Sequence, residues 1–433
     1  MTTPFAQPPG APRPASHRRR RLTRRGFLAA SGVAGAAGIA GGAAWATLAG
    51  SAGTREVASA TGSGGTLVLL TLYGGNDGLD TVVPAADPAY QKARGTLAVA
   101  EHDALPLADG LALHPSLVRL KRRYDAGTVA IVRGVGYPNP DHSHFRSMSI
   151  WQTASPQTPV SSGWLGRWLD ATASSANSNG GPIQAIGVGA TLTPALVGQH
   201  RSAAAVLTGK LAVPGGALGV GIRALYQPDA STGTATLLDA VAGVDNDYLS
   251  VADHLGPLLG TSGGAGSGNG GELAAQLGIV SRLIKAGVPT QAYAVSLGGF
   301  DTHAGEEPTH GRLLGEVDSA LDTFLTSVAG SPHAGRLVVM IYSEFGRRVV
   351  PNASGGTDHG TAAPVILAGP GVRGGMYGDQ PSLTKLGTGD DDGDLIASTD
   401  FRDVYATVLS DVLGADPGPV LGSGRRSLGF VRA

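Results

Sequence analysis

The sequence predicts an α/β protein with a mostly parallel central sheet that is covered by helices. From Gly65 onward, apolar runs end in clusters of glycine and polar residues, and stretches with helical spacing lie between them. This alternation is typical of a parallel sheet between layers of helices. Apolar residues make up 42% of the 433 residues, which is enough for the core of one large domain or of two ordinary ones.

Apolar runs and helical periodicity assign the elements in chain order. The predicted strands are Thr66–Tyr73, Thr128–Val135, Thr290–Leu297, Arg336–Tyr342 and Ala363–Leu367. The predicted helices are Leu113–Ala126, His144–Thr153, Leu273–Ala286, Arg312–Val328 and Asp400–Leu413.

Two parts of the chain lie outside this pattern. Residues 1–60 are predicted to be an export signal with a linker, and residues 61–433 a single domain. Within that domain, residues from about 155 to 271 carry Ser, Asn and Gly clusters at Ala173–Gly181 and Gly260–Gly271. We expect an irregular, glycine-rich insertion or cap there.

The N-terminal segment resembles a twin-arginine export signal. Residues Thr23–Leu28 have the sequence TRRGFL, similar to the motif S/T-R-R-x-F-L, and the stretch Gly26–Gly53 has no charged side chain. We therefore expect the export machinery to be a partner and the protein to be periplasmic, extracellular or in the cell envelope. We expect no stable membrane span after cleavage. Retention as an anchor is the alternative, since the uncharged stretch exceeds the roughly 20 residues that a span needs.

Charge and cysteine content exclude several classes of protein. Lys and Arg total 32 against 33 Asp and Glu, so the chain lacks the basic excess of nucleic-acid-binding proteins. It has no cysteine, which excludes disulfides, thiolate metal sites, a cysteine nucleophile and the cysteine-derived formylglycine of most sulfatases. Any metal ion must therefore be bound by histidine and carboxylate side chains.

Polar side chains cluster where the predicted strands end. In open α/β sheets, ligands bind beyond the carboxyl ends of the strands. Histidine with carboxylates is a ligand set for Zn, Mn, Mg or Fe, and two such ions would clamp the attacking and leaving oxygens of a displacement. We therefore predict a site for one or two divalent ions formed by Asp77, Asp301, His303, Glu344, Asp358 and His359.

Each of these residues also has an ordinary structural explanation. Asn-Asp-Gly sequences often form turns, and Asp is a common helix cap. Their joint placement favours a shared site, because independent caps need not all lie at strand ends on one side of a sheet. The alternatives are a turn at Asp77, a cap at Asp301 or His303 for a helix starting near Pro308, a surface ion pair of Glu344 with Arg347 or Arg348, and a loop histidine at His359.

Ser143 is the candidate nucleophile. It precedes the predicted helix that begins at His144, so it can be an N-cap. A hydroxyl at a helix N-terminus beside metal ions can also attack phosphorus or sulfur as an alkoxide. Arg146 would hold an anionic substrate oxygen, and His142 or His144 would protonate the leaving group.

Five sequence blocks resemble the exported bacterial family known as domain of unknown function 1501. They are GGNDGLDTVVP (74–84), PDHSHFRSMSIWQT (140–153), GGFDTH (298–303), SEFGRRV (343–349) and GGTDHGTAAPVILAGPGVRGGMYG (355–378). That family is grouped with the alkaline phosphatase and sulfatase-like superfamily. The resemblance therefore implies a three-layer α/β/α, alkaline phosphatase-like fold.

The resemblance also implies roles for individual residues. Asp77 resembles the superfamily's first metal-binding Asp, and Ser143 falls near its nucleophile. Asp301 and His303 resemble its Asp…His metal pair, and the block containing His359 resembles the last metal-binding His of phosphopentomutase-like members. The chain departs from the pattern at Ser343-Glu344, where the superfamily has Asp-His, and it lacks the sulfatase consensus.

These observations predict a metal-dependent hydrolase that acts on an anionic phosphate or sulfate ester. The alternative is an envelope binding or assembly protein that kept the scaffold and lost catalysis, since a fold alone does not establish an activity.

Overall fold

The computed structural model describes residues 64–173, 183–189, 191–207, 255–256, 258 and 271–432. The predicted export signal lies outside the described residues. The strands are β1 (Thr66–Leu72), β2 (Val82–Val83), β3 (Leu105–Pro106), β4 (Ala112–Leu113), β5 (Val129–Gly136), β6 (Ala185–Val188), β7 (Ala204–Val206), β8 (Ala292–Leu297), β9 (Leu337–Ser343), β10 (Ala363–Ala368), β11 (Gly375–Tyr377) and β12 (Thr399–Asp400).

The helices are α1 (Gly78–Thr81), α2 (Pro88–Arg94), α3 (Val118–Asp125), α4 (His144–Thr153), α5 (Trp164–Ala173), α6 (Glu272–Lys285), α7 (Glu306–Val328), α8 (Phe401–Thr407) and α9 (Gly418–Leu421). A π-helical turn at Val408–Val412 continues α8. No helix in the described part of the chain combines the length and the apolar character that a membrane span requires.

A mixed, mostly parallel sheet forms the centre of the protein. Its strands lie in the order β11-β5-β10-β9-β1-β8-β6-β7, and β12 pairs with β5. Strand β1 is parallel to both of its neighbours, with Leu67 opposite Ala292 of β8 and Val338 of β9. Strand β10 is antiparallel to both β9 and β5. The predicted mostly parallel sheet is confirmed.

Helices cover both faces of this sheet. Because successive side chains of a strand point to opposite faces, β1 contributes to two separate cores. Val68 and Leu70 pack in the core that contains residues of α6 and α7, whereas Leu67 and Leu69 pack in the core that contains residues of α4 and α8. The predicted three-layer α/β/α architecture is therefore confirmed.

Helix α7 begins earlier than its apolar spacing predicts. It starts at Glu306 rather than Arg312, and Gly305 precedes it with a φ of 55°. Glu306 and Glu307 lie in the first turn, where the helix dipole favours negative charge. The predicted helix Leu113–Ala126 is shorter in the structure because Leu113 pairs in the small sheet β2-β4-β3.

The described parts of the predicted insertion belong partly to the central sheet. Strand β6 pairs in parallel with β8, and β7 pairs in parallel with β6. Most of residues 208–270 lies outside the described residues, and the domain boundaries stay a prediction.

The strand directions bring five loops to one edge of the sheet. Strands β1, β5, β8 and β9 all end there. Because β10 runs in the opposite direction, it begins at the edge where they end. The residues that precede β10 therefore lie near those that follow the parallel strands.

Candidate metal centre

Three histidines surround the carboxylate of Asp301 at this edge. His303 Nε2 lies 3.1 Å and His359 Nε2 lies 3.2 Å from Asp301 Oδ1. His144 Nε2 lies 3.5 Å from Asp301 Oδ2. The Nε2 atoms of His303 and His359 are 2.9 Å apart. The loops after β5, β8 and β9 and before β10 thus bring side chains distant in sequence into one place. We call His144, Asp301, His303 and His359 the histidine cluster.

The other ring nitrogen of each histidine is held by an oxygen acceptor. His144 Nδ1 lies 2.8 Å from Glu344 Oε1, and His303 Nδ1 lies 3.1 Å from Asp358 Oδ1. His359 Nδ1 lies 2.7 Å from the backbone carbonyl oxygen of His142. Since these oxygens accept, each Nδ1 carries the hydrogen and each Nε2 of a neutral ring has a free lone pair.

The residues of this cluster fit a divalent metal ion. Metal-binding histidines commonly donate their second nitrogen to a carboxylate or a carbonyl, as all three do here. A tetrahedral zinc site with bonds of about 2.0–2.1 Å separates its ligand atoms by about 3.3 Å. The distances of 3.1–3.5 Å from the three Nε2 atoms to the Asp301 oxygens, and of 2.9 Å between His303 Nε2 and His359 Nε2, lie close to that value. The buried Nε2 of His144 has no hydrogen-bond partner, so its lone pair is free to bind a metal ion.

Glu344 and Asp358 therefore hold the rings of His144 and His303 rather than forming the centre of the cluster. Glu344 is only 2% exposed and also accepts a hydrogen bond from the backbone N–H of Gly74 at 2.9 Å and one from Ser343 Oγ at 3.0 Å. It does not pair with Arg347 or Arg348 in a surface ion pair.

Arg347 fixes the loops around the cluster. It is buried and donates to the carbonyl oxygens of Gly74, Gly75, Phe300 and Thr357. Its Nη2 also donates to Asp301 Oδ1 at 2.8 Å.

The charge of Asp301 is maintained by its neighbours. Partial burial raises the pKa of Asp301, but the hydrogen bond and the charge of Arg347 outweigh burial and lower the pKa to about 2. Asp301 is consequently ionised at neutral pH, as a metal ligand must be. It lies in the loop before α7 and does not cap that helix, whose N-cap is Gly305.

Ser143 lies beside the cluster, directly between His142 and His144. It is the exposed N-cap residue of α4, and its side chain makes no capping hydrogen bond. Its backbone N–H donates to Asp141 Oδ1 at 2.8 Å. The hydroxyl is therefore accessible at the N-terminus of a 10-residue helix. Arg146, one turn further, donates to the carbonyl oxygen of Pro156 at 3.3 Å.

His142 belongs to a second polar group. Its Nε2 lies 2.6 Å from Asp394 Oδ2, and a carboxylate oxygen of Asp391 is within 4.8 Å of both ligand atoms. Burial raises the pKa of Asp394. This group and the group of His144, Asp301 and His359 each place three potential ligand atoms within 4.8 Å of one another.

Asp77 does not belong to the cluster of His144, His303 and His359. It is fully buried, caps α1 through the N–H groups of Leu79 and Asp80, and forms a two-point ion pair with buried Arg94. Burial raises the pKa of Asp77, but the charge and hydrogen bonds of Arg94 outweigh burial and lower the pKa to about 2. The structure thus gives Asp77 a structural partner in Arg94 and a place as the N-cap of α1.

The surroundings of Asp77 include two further titratable groups. Burial and the charge of Asp77 raise the pKa of Glu306 to about 9, so this side chain is protonated at neutral pH. Burial lowers the pKa of His310 to about 3, and its Nε2 lies 3.0 Å from Asn76 Oδ1. His310 therefore belongs to this buried network and not to the histidine cluster.

The family model described as "Protein of unknown function (DUF1501)" matches residues 65–418. The chain belongs to the DUF1501 family. The matched residues include the whole histidine cluster. The match confirms the family that the five sequence blocks predicted. Among curated proteins, none matches the chain.

The DUF1501 chain is also similar to solved structures. A protein in the alkaline phosphatase superfamily from Vibrio parahaemolyticus is 11% identical, with 86% of this chain and 71% of that chain covered and a TM-score of 0.37. The lipoteichoic acid synthase LtaP from Listeria monocytogenes is 10% identical, with 84% and 74% covered and a TM-score of 0.35. The C-terminal periplasmic domain of EcEptC from Escherichia coli, in complex with Zn, is 9% identical, with 71% and 74% covered and a TM-score of 0.33. At these identities the similarity concerns the fold alone.

Sequence reasoning missed three residues that shape the site of this DUF1501 protein. Arg94 follows Lys92 in a short helix and has no signal that distinguishes it from a surface arginine. Arg347 was expected only as a surface partner of Glu344, yet its position in the block SEFGRRV is fully enclosed. Asp394 ends the run GDDDGD, which is typical of a solvated loop, but only 1% of it is exposed.

Proposed function

We propose that the protein is a metal-dependent hydrolase of phosphate or sulfate esters. The observation that carries this proposal is the arrangement of His144, His303 and His359, whose Nε2 atoms face Asp301 while each Nδ1 is held by an oxygen. His144, Asp301 and His359 would hold the ion, and His303 Nε2 lies 2.9 Å from His359 Nε2. A bound divalent ion would polarise the ester and favour the ionised form of a nearby hydroxyl.

In this proposal, Ser143 is the nucleophile. Its Oγ bonds to phosphorus or sulfur as the bond to the alcohol oxygen breaks, and the serine proton passes to solvent. The backbone N–H groups in the first turn of α4 point toward the anionic oxygens and favour the charge there. Water then hydrolyses the serine ester and restores the hydroxyl.

His142 is the proposed proton donor to the alcohol oxygen. Its Nε2 is held by Asp394 at 2.6 Å, which orients the ring and leaves Nδ1 for the leaving group. His144 is assigned to the ion instead, because its Nδ1 is engaged by Glu344 and its Nε2 faces Asp301. Arg146 would hold a substrate oxygen after leaving the carbonyl oxygen of Pro156.

Hydrolysis of aryl phosphates and aryl sulfates by metal-loaded protein tests this assignment. We expect Ser143→Ala to lose activity by a factor of about 1000 or more, because the nucleophile is removed. Ser149→Ala, on the same helix, is the matched control. Equal rates for Ser143→Ala and the unmodified protein would remove Ser143 from the mechanism.

A binding or assembly role without metal is the second candidate. It is favoured by the hydrogen bond from Arg347 to Asp301, since an arginine on this carboxylate competes with a cation. Elemental analysis distinguishes the two: protein that contains no stoichiometric metal and takes up none on titration would favour the binding role.

Export by the twin-arginine route to the periplasm, the cell envelope or the medium is also proposed, with no span remaining after cleavage. It rests on the sequence TRRGFL at residues 23–28. The double variant Arg24→Lys with Arg25→Lys should remain in the cytoplasm. Unchanged export of that variant would contradict the route.

A further inference from the structure

A cavity of about 310 Å³ lies beside the histidine cluster. This volume is within the range of small-molecule sites. Its apolar wall includes Tyr137, Phe345, Leu395 and Ile396. The cavity is therefore large enough for an organic group and has a surface against which carbon atoms can pack.

The cavity and the histidine cluster share walls. The ring of Phe345, which lines the cavity, lies 4.9 Å from the ring of His144 and 4.7 Å from that of His359. His142 connects the cluster to the cavity. Its carbonyl oxygen accepts a hydrogen bond from His359 Nδ1, and its ring Nε2 bonds Asp394 in the cavity wall. A substrate that reacts at the cluster can therefore extend into the cavity.

The charged part of the cavity wall is acidic. The described residues that line it include no Lys, Arg or His, and its carboxylates are Asp141, Asp391, Asp394 and Asp400. The charge of Asp400 is neutralised by two arginines that do not line the cavity, Arg402 at 2.6 Å and Arg425 at 3.0 Å. Half-buried Asp391 stands within 4.8 Å of Asp394.

Asp394 provides an acceptor that lacks a donor. It is 1% exposed, and its Oδ1 is buried without a hydrogen bond. Arg348 Nε lies 3.5 Å away and makes no hydrogen bond to it. Buried acceptors in folded proteins are nearly always satisfied, so this atom indicates a missing donor.

We propose that this cavity binds the alcohol portion of the ester and that this portion carries an ammonium group, which Asp391 and Asp394 hold. The proposal rests on the hydrolase function proposed above. An ammonium supplies hydrogen-bond donors and a positive charge, and the carbon chain that bears it packs on Phe345 and Ile396. A second metal ion fits less well, because the cavity is far larger than an ion.

Two esters that differ only at the end of the alcohol test this selectivity. We expect 3-aminopropyl phosphate, or its sulfate analogue, to be hydrolysed by the full-length protein with a kcat/KM about tenfold or more above that of the 3-hydroxypropyl ester. Asp391→Asn should bring this ratio close to one, whereas Asp392→Asn, at an exposed neighbouring position, should leave the ratio as it is. A ratio near one in the unmodified protein, or a ratio insensitive to Asp391→Asn, would overturn the inference.

A binding measurement separates this inference from the hydrolase function. Titration with 3-aminopropan-1-ol should shift the methyl NMR signals of Leu395 and Ile396, and 1,3-propanediol at equal concentration should not. Asp391→Asn should abolish the difference. If neither ester is hydrolysed but the amine binds in this way, the hydrolase function fails and the amine site stands. Equal binding of the two alcohols, or Zn²⁺ binding at this place that Asp391→Asn removes, would overturn the amine site even with active enzyme.

Discussion

His303 and His359 face each other through their Nε2 atoms at a distance of 2.9 Å. Both rings donate from Nδ1, to Asp358 and to the carbonyl oxygen of His142 respectively. Two neutral rings of this tautomer would therefore direct lone pairs at each other. Such an arrangement requires a proton or a cation between the two nitrogens. Substituting either histidine therefore tests the metal proposal directly.

The first prediction concerns loss of a ligand. We expect the unmodified protein to contain stoichiometric divalent metal and His359→Ala to bind it more than about 100-fold more weakly, since loss of a mere supporting residue costs 10–100-fold. Elemental analysis and Zn²⁺ titration measure this. His333→Ala, at an exposed histidine, is the control. Unchanged metal affinity of His359→Ala would exclude the cluster as the metal site.

The second prediction concerns the support of His144. Glu344→Gln keeps an acceptor for His144 Nδ1 but removes its charge, so the ring becomes a weaker ligand. We expect metal affinity to fall about 10–100-fold with the fold intact. Zn²⁺ competition titration and circular dichroism check the two parts. Glu307→Gln, at an exposed glutamate, should have no effect on affinity.

The third prediction concerns the buried ion pair below the site. Arg94→Ala leaves the carboxylate of Asp77 buried without its partner, and we expect a loss of about 3–5 kcal/mol in the free energy of unfolding. Urea denaturation measures the loss. Lys92→Ala, at an exposed position on the same helix, should change it by less than about 0.5 kcal/mol. Similar effects of the two substitutions would show that the ion pair contributes little.

The fourth prediction concerns the pH dependence of stability. The pKa of Glu306 is about 9 in the folded protein against an ordinary value of 4.5, so the folded state binds more protons than the unfolded state between these values. The stability that Glu306 contributes is therefore complete below about pH 4.5 and falls as the pH rises toward 9. Glu306→Gln stays neutral and should remove this decline.

Thermal unfolding at about pH 5 and at about pH 8 checks the predicted effect of Glu306→Gln, since both pH values lie between the unfolded and folded pKa of Glu306. The gain in melting temperature of Glu306→Gln over the unmodified protein should be larger at the higher pH. Glu307→Gln should show no such difference. A gain that is equal at both pH values would contradict the assigned protonation of Glu306.

The sequence predicted the five long apolar strands β1, β5, β8, β9 and β10 and their ends well because their signal is local. A run such as Thr66–Leu72 is apolar on both faces, and the glycine and polar residues that follow end it. The helix His144–Thr153 has the predicted bounds. The start of α7 was misplaced by six residues, since its first turn, from Glu306, carries acidic rather than apolar side chains.

The site could be predicted only in part. Asp301, His303 and His359 were expected together and lie together, but Glu344 and Asp358 hold histidines, and His144 faces Asp301 as a ligand would. The pairing of Asp77 with Arg94 brings together two side chains 17 positions apart, which no spacing rule connects.

By itself, the sequence determined which residue types are available for chemistry and that they follow apolar strands. The absence of cysteine limits metal ligands to histidine and carboxylate, and the strand ends place these near one edge of a sheet. Only the tertiary structure decided that β10 runs antiparallel, which puts His359 before a strand yet beside residues that follow strands. It also decided which nitrogen of each ring faces Asp301, because ring orientation depends on hydrogen-bond partners contributed by other loops.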